Sequence, residues 1–277
     1  PIFNDSSCSL SLLPDFIMKE NIKIKGVYIN GIEQELSKEE KENCYVKLDA
    51  KYSGSEVRVE FKFPNTSRPT KTNTNNTAQF GSKEKIGLLV ESHFDEAEIK
   101  YFRDFFPKKG YEIEYISNLW GNDKLEFFGN ENCDPLFARK DVGSISPSDY
   151  KGIILIGAYA MDRLRYEKEP KENQGNQSPA VCFIRKCCKE PGLKIGLICH
   201  SHWLMTAAPE LLQDKEVTCS HNIIYDVQNA GAKVQFAPDG TGTKDVHVDG
   251  NLVTGKHPEV VEKFANTFLE ELKSSQR

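Results

Sequence analysis

Cys199 and His200 stand side by side in the stretch LKIGLICHSHWLM. The apolar run that ends at Ile198 is typical of a buried strand, and the residues after His200 are typical of a helix. A thiol on a tight strand-to-helix turn occupies the position of a nucleophile, because such a turn presents the side chain at the end of the sheet. The alternative is a structural core cysteine, since cysteine is among the most buried residue types.

The segments that must position this pair alternate between strand and helix patterns from residue 83 onward. The near-continuous apolar runs KIGLLVE, YEIEYI, YKGIILIGA and LKIGLI predict strands buried on both faces. The stretches FDEAEIKYFRDFFPKKG, SPAVCFIRKCCKE, HWLMTAAPELL and HPEVVEKFANTFLEELKS predict helices. This alternation predicts an α/β, flavodoxin-like three-layer sandwich with a mainly parallel sheet, in which sites lie at the carboxyl ends of strands.

The first part of the chain follows a different pattern. The stretches NIKIKGVYING, YVKLDAKY and SEVRVEFKF alternate apolar and polar residues, which predicts half-buried strands. The segment after them is polar, rich in Asn and Thr, and nearly free of apolar side chains, which is typical of a linker. We therefore predict a small β-rich N-terminal appendage (residues 1–63), a polar linker (residues 64–82) and an α/β domain (residues 83–277).

Composition argues against several classes of protein. The 36 Lys and Arg residues against 41 Asp and Glu residues predict no nucleic-acid partner. Apolar runs such as GIILIGAYAM are too short to cross a bilayer, so no membrane is expected. The eight cysteines form no CxxC pair or zinc-ribbon repeat, and a chain this long does not need disulfides, so we predict reduced thiols in a cytoplasmic compartment. We predict no metal and no cofactor. The chain begins at Pro1 and not at Met, which leaves a removed leader open.

Four motifs carry a resemblance to a known family. IGAYAMDRLRYE, GLICHSHWLM, VTCSHNIIYDVQNAGAKV and VHVDGNLVTGKHP follow one another in the order of the motifs of the ThiJ/PfpI superfamily. The chain is thus similar to this branch of the class I glutamine-amidotransferase-like folds over about residues 83–273. The branch includes intracellular peptidases, glyoxalases and protein deglycases. The resemblance does not account for the first 80 or so residues.

The resemblance implies roles for four side chains. Cys199 would be the nucleophile, and His200 would be its acid–base partner. Glu98 matches the acidic residue beside the nucleophile, where a protonated carboxyl could donate to the thiolate or to its sulfinate. Asp162 matches the acid that orients the imidazole in peptidase-type members, often across a subunit interface, which implies a homodimer or higher homo-oligomer. For both acids, a solvated surface charge is the plain alternative.

The expected oxyanion hole consists of the backbone N–H groups of Gly157, Ala158 and His200. The chain departs from the superfamily pattern here, because Gly157-Ala158 replaces Gly-Gly and Ser201-His202 replaces Gly-Pro. Ala158 can supply its N–H only if its backbone avoids conformations that need glycine. His202 is a second imidazole near the thiol, which could assist catalysis, bind a metal with His93 or pack in the core. We expect packing.

These features favour a cysteine-dependent hydrolase or lyase. It would act on small carbonyl compounds, glycated groups or peptide bonds through a thiohemiacetal or thioester at Cys199. The turn and the amino end of the following helix should lower the pKa of this thiol and make it the most reactive cysteine. Two other classes stay open. One is a redox-responsive chaperone or sensor whose Cys199 is oxidised, and the other is a non-catalytic binding protein with a vestigial site.

Overall fold

A computed structural model describes residues 83–274, together with the backbone of five earlier strands. The chain forms two compact units, Pro1–Ala78 and Gln79–Arg277. In the first unit, β1 (Ser7–Ser11), β2 (Lys23–Ile29), β3 (Ile32–Gln34), β4 (Tyr45–Asp49) and β5 (Val57–Lys62) form two antiparallel sheets. β1 pairs with β4, and β2 lies between β3 and β5. The predicted linker, residues 64–82, lies outside the described residues.

The second unit is built on a seven-stranded sheet. The strands of this unit are β6 (Lys85–Leu89), β7 (Glu112–Ser117), β8 (Leu125–Phe128), β9 (Pro135–Ala138), β10 (Lys140–Asp141), β11 (Gly152–Leu155), β12 (Lys194–Ile198), β13 (Glu216–Val217), β14 (Lys233–Val234), β15 (Val246–Asp249) and β16 (Leu252–Gly255). The sheet has the order β10-β7-β6-β11-β12-β16-β15, and only the β15–β16 pair is antiparallel. The central strands β6, β11 and β12 are almost entirely buried, which explains their continuous apolar runs.

Helices cover this sheet. They are α1 (Glu96–Lys108), α2 (Ala160–Leu164), α3 (Pro179–Cys187), α4 (His202–Thr206), α5 (Ile224–Asn229) and α6 (Val261–Ser274). α1 and α6 pack together through Phe102 and Phe264, whose ring centroids are 5.8 Å apart. α2, α3 and α4 form a second group of helices in mutual contact. The α/β sandwich with a mainly parallel sheet that the sequence predicts is confirmed.

Two local features differ from the sequence-based expectation. The predicted helix HWLMTAAPELL ends at Thr206, and Pro209 opens a separate 3-10 turn, because proline disfavours helical backbone at the residue before it. The β8–β9 hairpin was not predicted. The Glu96 carboxylate holds its turn by accepting the backbone N–H groups of Asn132 and Asp134, at 2.8 and 3.1 Å.

Two features of the second unit concern the predictions about membrane spans and cysteines. No helix within residues 83–274 combines the length and the apolar character that crossing a bilayer requires. The cysteines that follow residue 83 all carry free thiols, and only Cys133 among them is exposed.

Candidate active site

Cys199 lies directly after the end of β12. Its φ is +56°, in the left-handed region that residues with a side chain rarely adopt. The Cys199 N–H donates to the Gly255 carbonyl of the neighbouring strand at 2.9 Å. The Ser201 hydroxyl accepts the Ile198 N–H at 2.7 Å, so both sides of the turn are held. The strained strand–turn–helix geometry is that of a nucleophile elbow at the carboxyl edge of the sheet.

The Cys199 thiol is neutral at rest. Cys199 is only 6% exposed, and this burial, together with the nearby Glu98 carboxyl, raises the pKa of its thiol to about 12. The backbone N–H groups of Ala158 and His200 lower this pKa without reversing the shift. The expectation of a lowered pKa is therefore wrong. α4 begins three residues away and has only five residues, so its dipole does not outweigh the loss of water around a thiolate.

Glu98 is a fully buried carboxyl beside the thiol, and not a solvated surface charge. Its Oε2 accepts the Gly157 N–H at 2.7 Å, whereas its Oε1 is buried without a hydrogen-bond partner. Burial, reinforced by the Asp95 carboxylate, raises the pKa of Glu98 well above its ordinary value. A side-chain carbon at position 157 would lie 2.6 Å from Glu98 Oε1 and 2.9 Å from Cys199 Cβ. Glycine at this position therefore allows a protonated carboxyl to approach the cysteine.

Two of the three expected oxyanion-hole donors approach the thiol. The N–H groups of Ala158 and His200 lie near enough to the Cys199 sulfur to lower the pKa of its thiol. The Gly157 N–H instead donates to Glu98, so its expected part in the oxyanion hole is wrong. Ala158 has φ +55°, a conformation that favours glycine and that costs alanine about 1 kcal/mol. The replacement of glycine by Ala158 thus keeps the donor but adds backbone strain.

His200 is buried against two aromatic rings. Its ring centroid lies 4.9 Å from that of Trp203 and 5.8 Å from that of Tyr159. Nε2 is 2.8 Å from Oδ1 of Asn222, while Nδ1 is buried and makes no hydrogen bond. Asn222 is not predictable from the sequence, because 22 residues separate it from His200 and no spacing signal links the two.

Within the chain, neither ring nitrogen of His200 bonds to Asp162. Its exposed carboxylate pairs with Arg165 at 2.8 Å. Together with Trp120, Arg163 and Tyr166, these two residues line a cleft of about 610 Å³. The role of Asp162 as a partner of His200 across a subunit interface thus stays a prediction.

The other two candidate histidines, His202 and His93, differ in burial. His202 is fully buried in the core with both ring nitrogens unpaired, and burial lowers its pKa to about 4. His93 is exposed, and its backbone N–H and carbonyl bond to Phe128 and Tyr159. Across residues 83–274, no three His, Cys, Asp or Glu side chains are grouped so that they could hold a metal ion.

A parallel α/β sheet with a cysteine on a strained strand-to-helix turn defines the nucleophile-elbow class of proteins. A sequence model of the DJ-1/PfpI family matches residues 84–271, and the chain belongs to this family. The resemblance seen in the sequence motifs is thereby confirmed. The match leaves out the N-terminal region.

Individual relatives match the same part of the chain. Protein/nucleic acid deglycase 2 of Escherichia coli is 25% identical over 186 residues, which are 67% of this chain and 95% of the relative. A deglycase of Thermococcus kodakarensis is 25% identical over 189 residues, 68% of this chain and 99% of the relative. The crystal structure of a ThiJ/PfpI domain protein from Brachyspira murdochii matches with a TM-score of 0.57 at 17% identity, covering 70% of this chain and 99% of that one. At this identity the structural match shows the fold.

Proposed function

We propose that this chain is a cysteine-dependent hydrolase or lyase of the glyoxalase or deglycase type, acting on small carbonyl compounds or glycated groups. The observation that carries the proposal is the position of the Cys199 sulfur, which two backbone N–H groups approach, those of Ala158 and His200. A carbonyl carbon brought against this sulfur has its oxygen near donors suited to a developing negative charge. The two relatives named deglycases support the same carbonyl chemistry.

The first step can be written for methylglyoxal. The Cys199 sulfur bonds to the aldehyde carbon, the carbonyl electron pair moves to the oxygen, and the thiol proton passes to His200 and then to that oxygen. The hydrogen on the former aldehyde carbon then moves to the neighbouring carbonyl carbon, and the hydroxyl proton moves to the oxygen of that carbonyl. The thiohemiacetal thereby becomes a thioester, which water cleaves to lactate and the free thiol. Because the thiol is neutral at rest, addition requires a base at the moment of attack.

The same nucleophile suits a peptide bond, through a thioester formed with loss of the amine. A fluorescently labelled casein therefore belongs among the test substrates. The family domain would carry the activity in either case, and the N-terminal appendage is outside the proposed chemistry.

A second candidate function rests on Glu98. Its Oε1 is buried without a partner, and its raised pKa keeps a proton available near the sulfur. A sulfinate formed at Cys199 by peroxide would accept a hydrogen bond from this carboxyl. That arrangement suits a redox-responsive chaperone or sensor.

Turnover and oxidation assays on the full chain separate these functions. Methylglyoxal loss, lactate formation and casein cleavage should fall to the uncatalysed rate in Cys199→Ala. They should persist in Cys219→Ala, a matched control because burial also raises the pKa of that thiol to about 12. Activity that survives Cys199→Ala would contradict the proposal. Peroxide-dependent gain of two oxygen atoms at Cys199 without turnover would favour the sensor, and inertness in every assay would favour a binding protein.

A further inference from the structure

The hydrogen bond between His200 and Asn222 determines which ring nitrogen carries the proton. Asn222 lies in the 3-10 turn His221–Ile223, just before α5. Its Oδ1 is 2.8 Å from His200 Nε2 and also accepts the Ser220 hydroxyl at 2.7 Å. An amide oxygen only accepts hydrogen bonds, so Nε2 of the neutral ring must carry the hydrogen. The lone pair of the ring is then on Nδ1.

Nδ1 is therefore free to act as a base. It is buried, it makes no hydrogen bond, and it belongs to the residue that follows Cys199. The rings of Trp203 and Tyr159 pack against the imidazole and restrict its rotation. The thiol and Nδ1 are not hydrogen-bonded at rest. Catalytic hydrogen bonds are often long before substrate binds.

The same geometry disfavours Asp162 of a second copy of the chain as a hydrogen-bond partner of His200. A carboxylate from a second copy of the chain would have to bond to Nε2, because Nδ1 is buried. Nε2 already donates to Asn222. Within its own chain, Asp162 is paired with Arg165.

We propose that Asn222 is the positioning residue of His200, so that Cys199, His200 and Asn222 form a complete catalytic array within one chain. This inference rests on the proposed cysteine-dependent function. Asn222 holds the ring in the tautomer whose Nδ1 can take the thiol proton as the sulfur attacks a carbonyl. The imidazolium keeps its Nε2–H bond to Asn222 and returns the Nδ1 proton to the substrate oxygen. Since the amide is neutral, it orients the ring without adding a charge that would favour the imidazolium.

The pH profile of Cys199 alkylation by iodoacetamide tests this role without depending on turnover. Asn222→Asp keeps the acceptor but adds a negative charge, which should stabilise the protonated imidazole and move the acid limb of the profile upward by about one pH unit or more. Asn222→Ala removes the acceptor and should lower the plateau rate at least about tenfold, since a positioned base contributes 100-fold or more. Asn229→Asp is the matched control, because it adds the same charge at an exposed position of α5.

The other charged and titratable groups around the His200 ring are the same residues in all these variants. They are Cys199, His202, Glu98, Asp95, Tyr159, Arg165 and Asp226. A shift in Asn222→Asp that is absent in Asn229→Asp therefore reports the Asn222–His200 contact.

Two results would overturn the inference. One is that Asn222→Asp has the same pH profile of Cys199 alkylation as the unaltered chain, and that Asn222→Ala reaches the same plateau rate. The other is a loss of alkylation in Asp162→Asn together with a rate per chain that falls on dilution, which would assign the orienting role to the acid of a neighbour. If methylglyoxal turnover instead survives Cys199→Ala, the proposed function fails, while the alkylation profile still reports on Asn222.

Discussion

The Oε2 atom of Glu98 accepts the backbone N–H of Gly157 at 2.7 Å, although 59 residues separate the two along the chain. This bond joins the first turn of α1 to the loop after β11. It leaves Oε1 as the unpartnered oxygen of a buried carboxyl, on the side where Cys199 lies. A protonated acid is thus part of the site before any substrate arrives.

The raised pKa of Glu98 should make stability depend on pH. The folded chain keeps the proton above the ordinary carboxyl pKa of 4.5, whereas the unfolded chain releases it, so stability falls as pH rises through this window. Relative to Glu98→Gln, the unaltered chain should lose about 1.4 kcal/mol per pH unit until the pH passes the folded pKa.

Urea unfolding followed by tryptophan fluorescence measures this dependence. Both tryptophans, Trp120 and Trp203, lie in the second unit, so the signal reports the unit that contains Glu98. Glu126→Gln is the control, at an exposed position of β8. Its free energy of unfolding should depend on pH in the same way as that of the unaltered chain. If the free energy of unfolding depends on pH in the same way in Glu98→Gln and in the unaltered chain, Glu98 is ionised in the folded state.

Replacing Ala158 by glycine should relieve backbone strain. At φ +55° the substitution removes a steric cost of about 1 kcal/mol and keeps the N–H donor. Thermal unfolding should show unchanged or higher stability, with Cys199 alkylation retained. Ala160→Gly, in α2, should instead lower stability by about 1 kcal/mol. A loss of stability in Ala158→Gly equal to that in Ala160→Gly would contradict the assigned strain.

His202 should make the fold sensitive to acid. Its folded pKa of about 4 lies below the ordinary value of 6.5, so the unfolded chain binds a proton that the folded chain does not. Stability is complete above pH 6.5 and falls as pH drops through that value, by up to about 3 kcal/mol at pH 4.

Urea unfolding of His202→Phe should not show this loss of stability at acid pH, whatever the change in packing does to stability at neutral pH. His93→Gln changes an exposed histidine and should keep the acid dependence. Equal slopes in His202→Phe and the unaltered chain between pH 6.5 and 4 would show that His202 is protonated in the fold.

The composition of residues 64–82 predicts a protease-sensitive linker. A polar Asn- and Thr-rich segment has too little apolar area to bury when it orders. Limited trypsin should cut near Lys71 or Lys83 and release a folded fragment of about 190 to 200 residues. Mass spectrometry of the first stable product identifies the cut. Early cleavage inside residues 84–271, with the linker intact, would require different domain boundaries.

The sequence by itself determined the architecture and the position of the thiol. Continuous apolar runs such as β11 and β12 reveal strands buried on both faces, because that property depends on the composition of each segment. The turn at Cys199 was also predictable, since an apolar strand, a cysteine and a helix pattern follow one another directly. The β8–β9 hairpin was not, because a distant carboxylate, that of Glu96, holds its turn.

Only the tertiary structure decided the chemistry of the site. The neutral state of the Cys199 thiol and the raised pKa of Glu98 come from burial, which depends on how distant segments pack. The Gly157 N–H is taken by Glu98, and His200 bonds to Asn222, through contacts that no local spacing encodes. Secondary structure follows from neighbours along the chain, whereas protonation states and hydrogen-bond partners follow from neighbours in space.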